Sequence, residues 1–498
     1  VSRNRVVLIT LGVMLSLFLA SMESTVISTA MPTIVSQFGG LDYYSWVFSA
    51  YLLASTTTVP LFGKLSDIYG RRPVYIGAMA FFLAGSMLCG WATSMEQLIA
   101  FRVVQGLGAG GLLPLAFIII GDLFTLEQRA RIQGVFSGVW GVSSIIGPLL
   151  GGFLVDQVSW RWIFFINIPP GLLAAALVWG AWVDRERPAA AQRPAVDYAG
   201  AALLTVAVVT LLLGLFELGT PLGWGLLIAS VALFALLVVV ERRAADPVLP
   251  LDLFRERMFT IACLHGVLAG WALFGSVTFV PLFVQAVLGT SATAAGATLM
   301  PLMLSWVLAS IVGGRLLLNV SYRTLAIGGT ASLALGMLLM TQISETSSQL
   351  SLFIYLALMG AGMGFSIPAF LITVQSAVQK RVLGTATSTL QFSRTIGGTL
   401  GVSVMGLAMS VTLASALVAA GLDANAVSVN SLLDPAPGAA SPALDGTLRT
   451  ALAGAIRNVF IIASVAAALA LIATLFAPRP QAAPGAQPAE TEGAGQVV

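Results

Sequence analysis

The chain has 498 residues, 58% of them hydrophobic and only 9% Asp, Glu, Lys or Arg, with a formal net charge of +3 and a mean hydropathy of +0.95. That balance excludes a soluble globular protein, whose surface needs more charge than this chain holds. It also excludes a nucleic-acid binder, because the basic residues are dispersed between apolar segments instead of gathered on one face.

Long apolar runs recur from Val6 to Phe476, each near the ~20 residues needed to cross a ~30 Å hydrocarbon core. Inside a bilayer the backbone must satisfy its own hydrogen bonds, which leaves helices or a closed barrel. Stretches such as VYIGAMAFFLAGSMLCGW lack the alternation of barrel strands, so the chain reads as an all-α polytopic membrane protein. Fourteen spans are predicted: 6–30, 43–63, 74–92, 96–120, 134–155, 162–183, 198–216, 224–240, 258–282, 294–314, 325–343, 351–372, 385–410 and 456–477. The first is too long for the h-region of a cleaved signal peptide, and no A-x-A site stands before a soluble domain. Cys89 and Cys263 both fall in apolar runs, with neither a disulfide framework nor metal-ligand spacing, and read as packing residues.

Basic residues in the short loops set the orientation. With a cytoplasmic N-terminus the inner segments collect most of the 24 Lys and Arg, from Arg3, Arg5 and Lys64 through Arg129, Arg242 and Arg243 to Lys380, Arg381 and Arg479. Arg161, Arg449 and Arg457 stay outside or at the outer rim, and Arg102 and Arg394 lie within helices. Both termini are therefore expected in the cytoplasm, at a cell membrane.

The first span contains ASMESTVISTAMP (20–32), with Glu23 inside an otherwise apolar, small-residue helix. Desolvation there disfavours the charged carboxylate, so the group can load and release a proton as access to it alternates. The other readings are an acid neutralised by a fixed partner, or one at the outer interface. Ser16, Ala20 and Ala30 share its face and leave room for water or a ligand. Glu23 is the only acid placed well inside a predicted helix: Glu217 lies at an outer helix end, and Asp122 and Glu127 in a cytoplasmic loop.

After the second span comes GKLSDIYGRR (63–72), read as a loop. Gly63 and Gly70 permit a tight turn and close helix approach, while Asp67, Arg71 and Arg72 can form an ion-pair latch; the plainer reading is a positive-inside loop. In the fourth span, LIAFRVVQGLGAGG (98–111) carries Arg102, a costly charge in lipid that should face a wet cavity or a partner, or else snorkel to the outer surface. In the fifth, GVFSGVWGVSSIIGPLLGG (134–152) sets Gly134, Gly138, Gly141, Pro148 and Gly152 near one face, a seam for close helix packing, with a bend at Gly147–Pro148.

Two stretches repeat. Gly106, Gly108, Gly110 and Pro114 match Gly360, Gly362, Gly364 and Pro368, and Arg131, Gly134, Gly147 and Gly151 match Arg381, Gly384, Gly397 and Gly401. A duplicated six-helix unit follows, with two helices inserted between the copies. The predicted organisation is an N-terminal half over 1–183, linkers with the inserted pair over 184–257, a C-terminal half over 258–477 with a long outer loop at 411–455, and a disordered tail over 478–498. Paired repeats around a midplane cavity are a transporter architecture. Trp271, Phe274, Phe365 and Gln391 are candidates for lining an apolar cavity, though each is equally open to core packing. His265 is either a second titrating group or a packing residue.

Several of these runs resemble the major facilitator superfamily. GKLSDIYGRR is similar to its G-x-L-x-D-x-x-G-R-R/K signature, whose second copy here, GRLLLNVSYR (314–323), has Leu318 where Asp67 stands. LIAFRVVQGLGAGG resembles R-x-x-Q-G-x-G-A, in which the arginine is associated with proton coupling. The fifth span looks like the motif that separates antiporters from symporters, with Ser143 at a position often Gly or Asn. WRWIFFINIPPG (160–171) and QFSRTIGGTLG (391–401), with Arg394, are similar to fourteen-span drug:proton antiporters. ESTVISTAMP fits the same pattern with Glu23 in place of Asp and Ser28 in place of Asn.

The resemblance implies a major facilitator fold and a proton-coupled antiporter exporting amphiphilic, cationic compounds by alternating access. Its partners would be those compounds, protons and the bilayer, and it would act as a monomer without a cofactor. The other cargo left open is an endogenous lipid, siderophore or metabolite. No nucleophile–base pair, metal-ligand cluster or Walker-type loop points to an enzyme or an ATP-driven pump.

Overall fold

The structure, a computed structural model, describes residues 3–38, 44–182, 197–244, 247–249, 251–290, 297–420 and 442–479. The Pro/Arg-rich linker and the tail lie almost wholly outside these residues. Among them are no strands and fourteen main helices: α1 (Arg3–Phe38), α2 (Tyr44–Tyr69), α3 (Arg71–Trp91), α4 (Met95–Leu123), α5 (Leu126–Gln157), α6 (Ile168–Ala181), α7 (Tyr198–Phe216), α8 (Pro221–Glu241), α9 (Arg257–Leu282), α10 (Met300–Leu316), α11 (Tyr322–Met340), α12 (Gln349–Ala377), α13 (Leu383–Ala419) and α14 (Pro442–Leu475). Eleven segments are long and apolar enough to cross a membrane, and α10 is a shorter apolar helix. Fourteen crossings therefore remain an expectation for α2, α5 and α10.

The repeat predicted from glycine spacing is visible in the packing. A Cβ on Gly106 or Gly110 of α4 would stand 2.6 Å from the Tyr51 carbonyl oxygen or 2.2 Å from that of Ser55, both on α2, and one on Gly108 would stand 2.2 Å from the Phe82 nitrogen on α3. In the second half a Cβ on Gly360 or Gly364 of α12 would stand 2.0 Å from the Leu302 oxygen or 2.5 Å from that of Trp306 on α10, and one on Gly362 2.5 Å from the Leu333 nitrogen on α11. Hydrogen at these positions lets backbones touch, which is what drives helix association where no hydrophobic effect operates.

The two halves meet along two seams. On one, α5 lies on α10, where a Cβ on Gly134 would meet Ile311 at 2.4 Å and those on Gly138 and Gly141 would meet Val307 at 4.0 and 3.4 Å. On the other, α13 lies on α2. The inserted pair α7 and α8 covers this second seam: Leu204, Val208 and Leu212 of α7 form one apolar cluster with Leu53 and Leu61 of α2 and Phe392 and Ile396 of α13.

Three expectations are corrected. The stretch 63–72 is not a loop; α2 runs to Tyr69 and α3 starts at Arg71, with only Gly70, at φ 94°, between them. That left-handed conformation is one that glycine adopts without steric cost. Asp122 ends α4 and Glu127 begins α5 instead of lying in a loop. Of the outer loop expected over 411–455, residues 411–419 and 442–455 are helical, as the ends of α13 and α14, and 421–441 lie outside the described residues. The polar residues of DGTLRTALAGAIRN hid the start of α14 from a reading based on hydropathy.

Candidate functional site

Glu23 lies a little past the middle of α1 and is 2% exposed, and Arg102 on α4 is 1% exposed. They form an ion pair through Arg102 Nη1 and Glu23 Oε1. The second carboxylate oxygen, Oε2, accepts a hydrogen bond from Asn167 Nδ2 at 2.9 Å. Asn167 stands at the start of α6 and is fully buried. The same amide donates to Ser86 Oγ on α3 at 3.0 Å, and Gln105 Nε2 donates to that oxygen at 3.3 Å. Arg102 Nη1 donates to Gln105 Oε1 at 2.8 Å, which closes the ring.

The ring thus joins five side chains from α1, α3, α4 and α6. The guanidinium has two further contacts: Nε donates to the Val47 carbonyl at 3.2 Å, and Cζ stands 4.2 Å over the Tyr51 ring. The ion pair is hydrogen-bonded on both sides, as a charge pair out of water must be to persist. Arg102 therefore neither snorkels nor faces lipid. Glu23 has a fixed partner and stands inside the N-terminal half; the free space expected beside Ser16 and Ala20 is not what surrounds it.

The second cluster links the halves at the end from which α1 starts, here called the inner end. Asp67 on α2 accepts from the backbone N–H groups of Gly384 at 3.0 Å and Thr385 at 2.8 Å, and from Thr385 Oγ1 at 2.8 Å. These N–H groups belong to the first turn of α13, where helical donors lack internal partners and the dipole favours a negative charge. Arg71 bridges Asp67 at 2.6 Å and Asp122 of α4 at 2.7 Å, and also donates to Ser66 Oγ at 2.8 Å. The latch is therefore carboxylate to helix terminus, with Arg71 as its brace. Arg72 turns elsewhere, its guanidinium 4.0 Å over the Trp179 ring of α6.

Gly63 and Gly384 make this contact possible. A Cβ on Gly63 would fall 2.0 Å from Ser388 Oγ, and one on Gly384 2.6 Å from the Gly63 carbonyl oxygen. A further bond crosses nearby, from Gln375 Nε2 of α12 to the Phe117 carbonyl of α4 at 3.1 Å. The two halves are joined at this end.

In the helix 5 stripe, Gly147 and Gly151 are buried, and a Cβ on Gly152 would meet nothing within 4 Å. The side chain of Pro148 lies outside the described residues. Ser143 accepts a hydrogen bond from Ser21 of α1 at 2.7 Å, which ties α5 to the helix that carries Glu23.

The four cavity candidates are not gathered at one point by any described contact. Phe274 and Trp271 pack against the positions of Gly398 and Gly401 on α13, and Phe365 packs against Gly313 and Gly329. Trp271 Nε1 is buried without a hydrogen-bond partner, and Gln391 is buried at 8% exposure. His265 is 1% exposed, its ring 4.8 Å from that of Phe370 and its Nε2 without a partner. Among the described residues Arg394 makes no side-chain hydrogen bond or ion pair.

Ser86 and Tyr51 went unmarked in the sequence, and Gln105 and Asn167 stood in motif runs without a role of their own. The signal for Asn167 was an amide set in INIPPG, an apolar stretch where a polar side chain needs a partner.

Comparison with known proteins agrees with this architecture. The family model described as Major Facilitator Superfamily matches residues 13–402. The chain is 40% identical to multidrug transporter protein MdtP of Bacillus subtilis, over 82% of this chain and 76% of that one. It is 37% identical to multidrug resistance protein 3 of the same organism, over 80% and 78%, and 32% identical to the efflux pump dotC of Dothistroma septosporum, over 93% and 82%. Among solved structures the human organic anion transporter MFSD10 (TETRAN) superposes with a TM-score of 0.64 at 15% identity, covering 95% of this chain and 100% of that one. The proton:xylose symporter XylE gives 0.61 at 14%, covering 96% and 97%. Helices, repeat and motifs together place this chain in the major facilitator superfamily, as a multi-pass membrane transporter.

Proposed function

We propose that the protein is a proton-coupled antiporter that exports amphiphilic compounds, lipophilic cations among them, across a cell membrane by alternating access, with both termini in the cytoplasm. The kinship with proteins named as multidrug transporters and efflux pumps supports the export of such compounds. The observation that carries the coupling is the closed ring around Glu23 and Arg102.

A proton on Glu23 ends the ion pair and leaves the Arg102 charge with neutral partners only: the Gln105 amide, the Val47 carbonyl and the Tyr51 face. Removing one partner of a buried pair costs ~3–5 kcal/mol. Rearrangement of α1 against α4 relieves that cost, so proton occupancy biases the conformational equilibrium. The exported compound need not touch Glu23; it need only favour the conformation in which the pair is closed. Each charge that crosses the field contributes ~2.3 kcal/mol per 100 mV, enough for inward protons to drive export uphill. The latch through Asp67 supports a conformation whose inner end is closed.

The test is proton-gradient-driven transport of a fluorescent lipophilic cation by the full chain in proteoliposomes, comparing native protein with Glu23→Gln. The native protein should concentrate the dye against its gradient. The variant should bind and exchange dye down its gradient but fail to concentrate it. Uphill transport by Glu23→Gln at the native rate would place the coupling elsewhere and sink this reading.

A further inference from the structure

A second pair of acids, Glu241 buried and Asp197 half-buried, lies on the inserted helices, away from the Glu23 ring. Asp197 caps the start of α7 and Glu241 is the last residue of α8, so both stand at the inner end of the pair that covers the α2–α13 seam. Each carboxylate has one oxygen held by backbone. Asp197 Oδ1 accepts from the Gly200 N–H at 2.7 Å, and Glu241 Oε2 accepts from the Leu249 N–H at 3.3 Å, with the Val248 N–H also turned toward this carboxylate.

The other two oxygens, Asp197 Oδ2 and Glu241 Oε1, are both buried and have no hydrogen-bond partner. Both aim at the same space over Gly200: a Cβ there would lie 2.2 Å from the first and 2.8 Å from the second. Those two distances cap their separation at about 5 Å, close enough that two carboxylates in a dry site do not both stay ionised. Glu241 is only 3% exposed. Two orphaned acceptors facing one another are costly, since a buried polar group without a partner loses ~1–3 kcal/mol. One proton ends the repulsion, and a small rotation of either side chain within that bound lets an O–H on one carboxyl donate to the oxygen of the other.

We propose that Asp197 and Glu241 hold one proton between them, so that the inserted helix pair carries a proton-binding site of its own. The other charges in reach fit a single residual negative charge. From α2, Lys64 acts on Glu241 through its charge. The α13 residues packed against this pair, Phe392 and Ile396, are apolar. Arg242 and Arg243 follow on the same element and are exposed. Gly200 keeps the shared space open, a role that its position in an apolar helix does not advertise. Loss of the proton puts two negative charges under the cover of the seam and pushes the inner ends of α7 and α8 apart. This site does not depend on drug export or on Glu23.

The test is infrared difference spectroscopy of the full chain in lipid nanodiscs at neutral pH, reading the C=O stretch of a protonated carboxylic acid. Asp197→Asn keeps the helix cap, and Glu241→Gln keeps an acceptor for Leu249. In a shared-proton pair either substitution lets the remaining acid ionise, so native-minus-variant spectra should show the same lost band for both. Glu23→Gln should leave that band in place. If Asp197→Asn retains the band, Glu241 holds its proton by burial alone and the pair is overturned. If neither substitution removes a band, both acids are ionised and the proposal fails. Asp197→Ser, which also caps a helix, supplies the same reading if the asparagine variant does not fold. In the native protein, raising the pH should convert the band to a carboxylate band while the helices stay intact.

Discussion

Asn167 donates its amide to the Glu23 oxygen that Arg102 leaves open, at 2.9 Å, across 144 residues of chain. That bond makes the start of α6 part of the carboxylate's environment, and it explains why a polar residue is fully buried beside Pro169 and Pro170. Replacing Asn167 with Leu strands Oε2 without a donor in a dry site. The expected cost is ~1–3 kcal/mol, read as a lower midpoint of thermal unfolding in detergent. Asn167→Gln should recover little, because the longer amide cannot reach Glu23 and Ser86 together. A Leu variant as stable as the native protein would show that the bond contributes nothing.

The latch at the inner end rests on one carboxylate. Asp67→Asn keeps an oxygen for the α13 terminus but puts an amide N–H toward donors and removes the charge that Arg71 braces. Charge-assisted bonds contribute ~1.5–3 kcal/mol each, and a shift of ~1.4 kcal/mol already changes a two-state ratio tenfold. Spin labels placed at the inner ends of α2 and α13 should therefore show a ratio of shorter- to longer-distance populations that falls by about tenfold from the native protein to Asp67→Asn. An unchanged distance distribution would remove Asp67 from the latch.

Steric tests should separate two glycines that look alike in sequence. Gly63→Ala places a methyl 2.0 Å from Ser388 Oγ and 2.9 Å from the Gly384 carbonyl, so the inner end cannot close as it does here. Gly152→Ala meets nothing within 4 Å and should change stability by less than ~0.5 kcal/mol. Labelling of a cysteine introduced on the inner half of α13 should rise in the first variant and stay native in the second. Equal labelling in both would mean that the close approach of α2 and α13 is not a condition of closure.

The contrast between those glycines shows what the sequence could carry. Spacing exposed the repeat, because close backbone contact at Gly106, Gly108 and Gly110 recurs at Gly360, Gly362 and Gly364 and leaves a pattern in residue type. Charges in apolar runs were equally conspicuous, so Glu23 and Arg102 stood out singly. Their pairing did not, since 79 residues separate them. The partners of Asp67 are backbone N–H groups of Gly384 and Thr385, which no side-chain pattern can reveal. The inserted helices carry no charge at mid-span that would point to a partner, and only packing shows that they cover the α2–α13 seam.

The Glu23–Arg102 pair makes a prediction that separates electrostatics from packing. Glu23→Gln alone leaves a guanidinium uncompensated in the N-terminal half, a loss of ~3–5 kcal/mol. Arg102→Gln alone leaves the carboxylate with only the Asn167 amide, and protonation of Glu23 relieves that strain more readily than any change at Arg102 can relieve the converse. The arginine variant should therefore unfold at a lower temperature than the native protein but be rescued by acid, whereas the Glu23→Gln variant should not. The double variant, with neither charge, should be more stable than Glu23→Gln, because neutral amides can keep the ring through Gln105, Ser86 and Asn167. Unfolding midpoints of the four proteins measured across pH check this. If the double variant is as unstable as the sum of the single ones, the pair is not coupled, and the ring would be held by shape instead of charge.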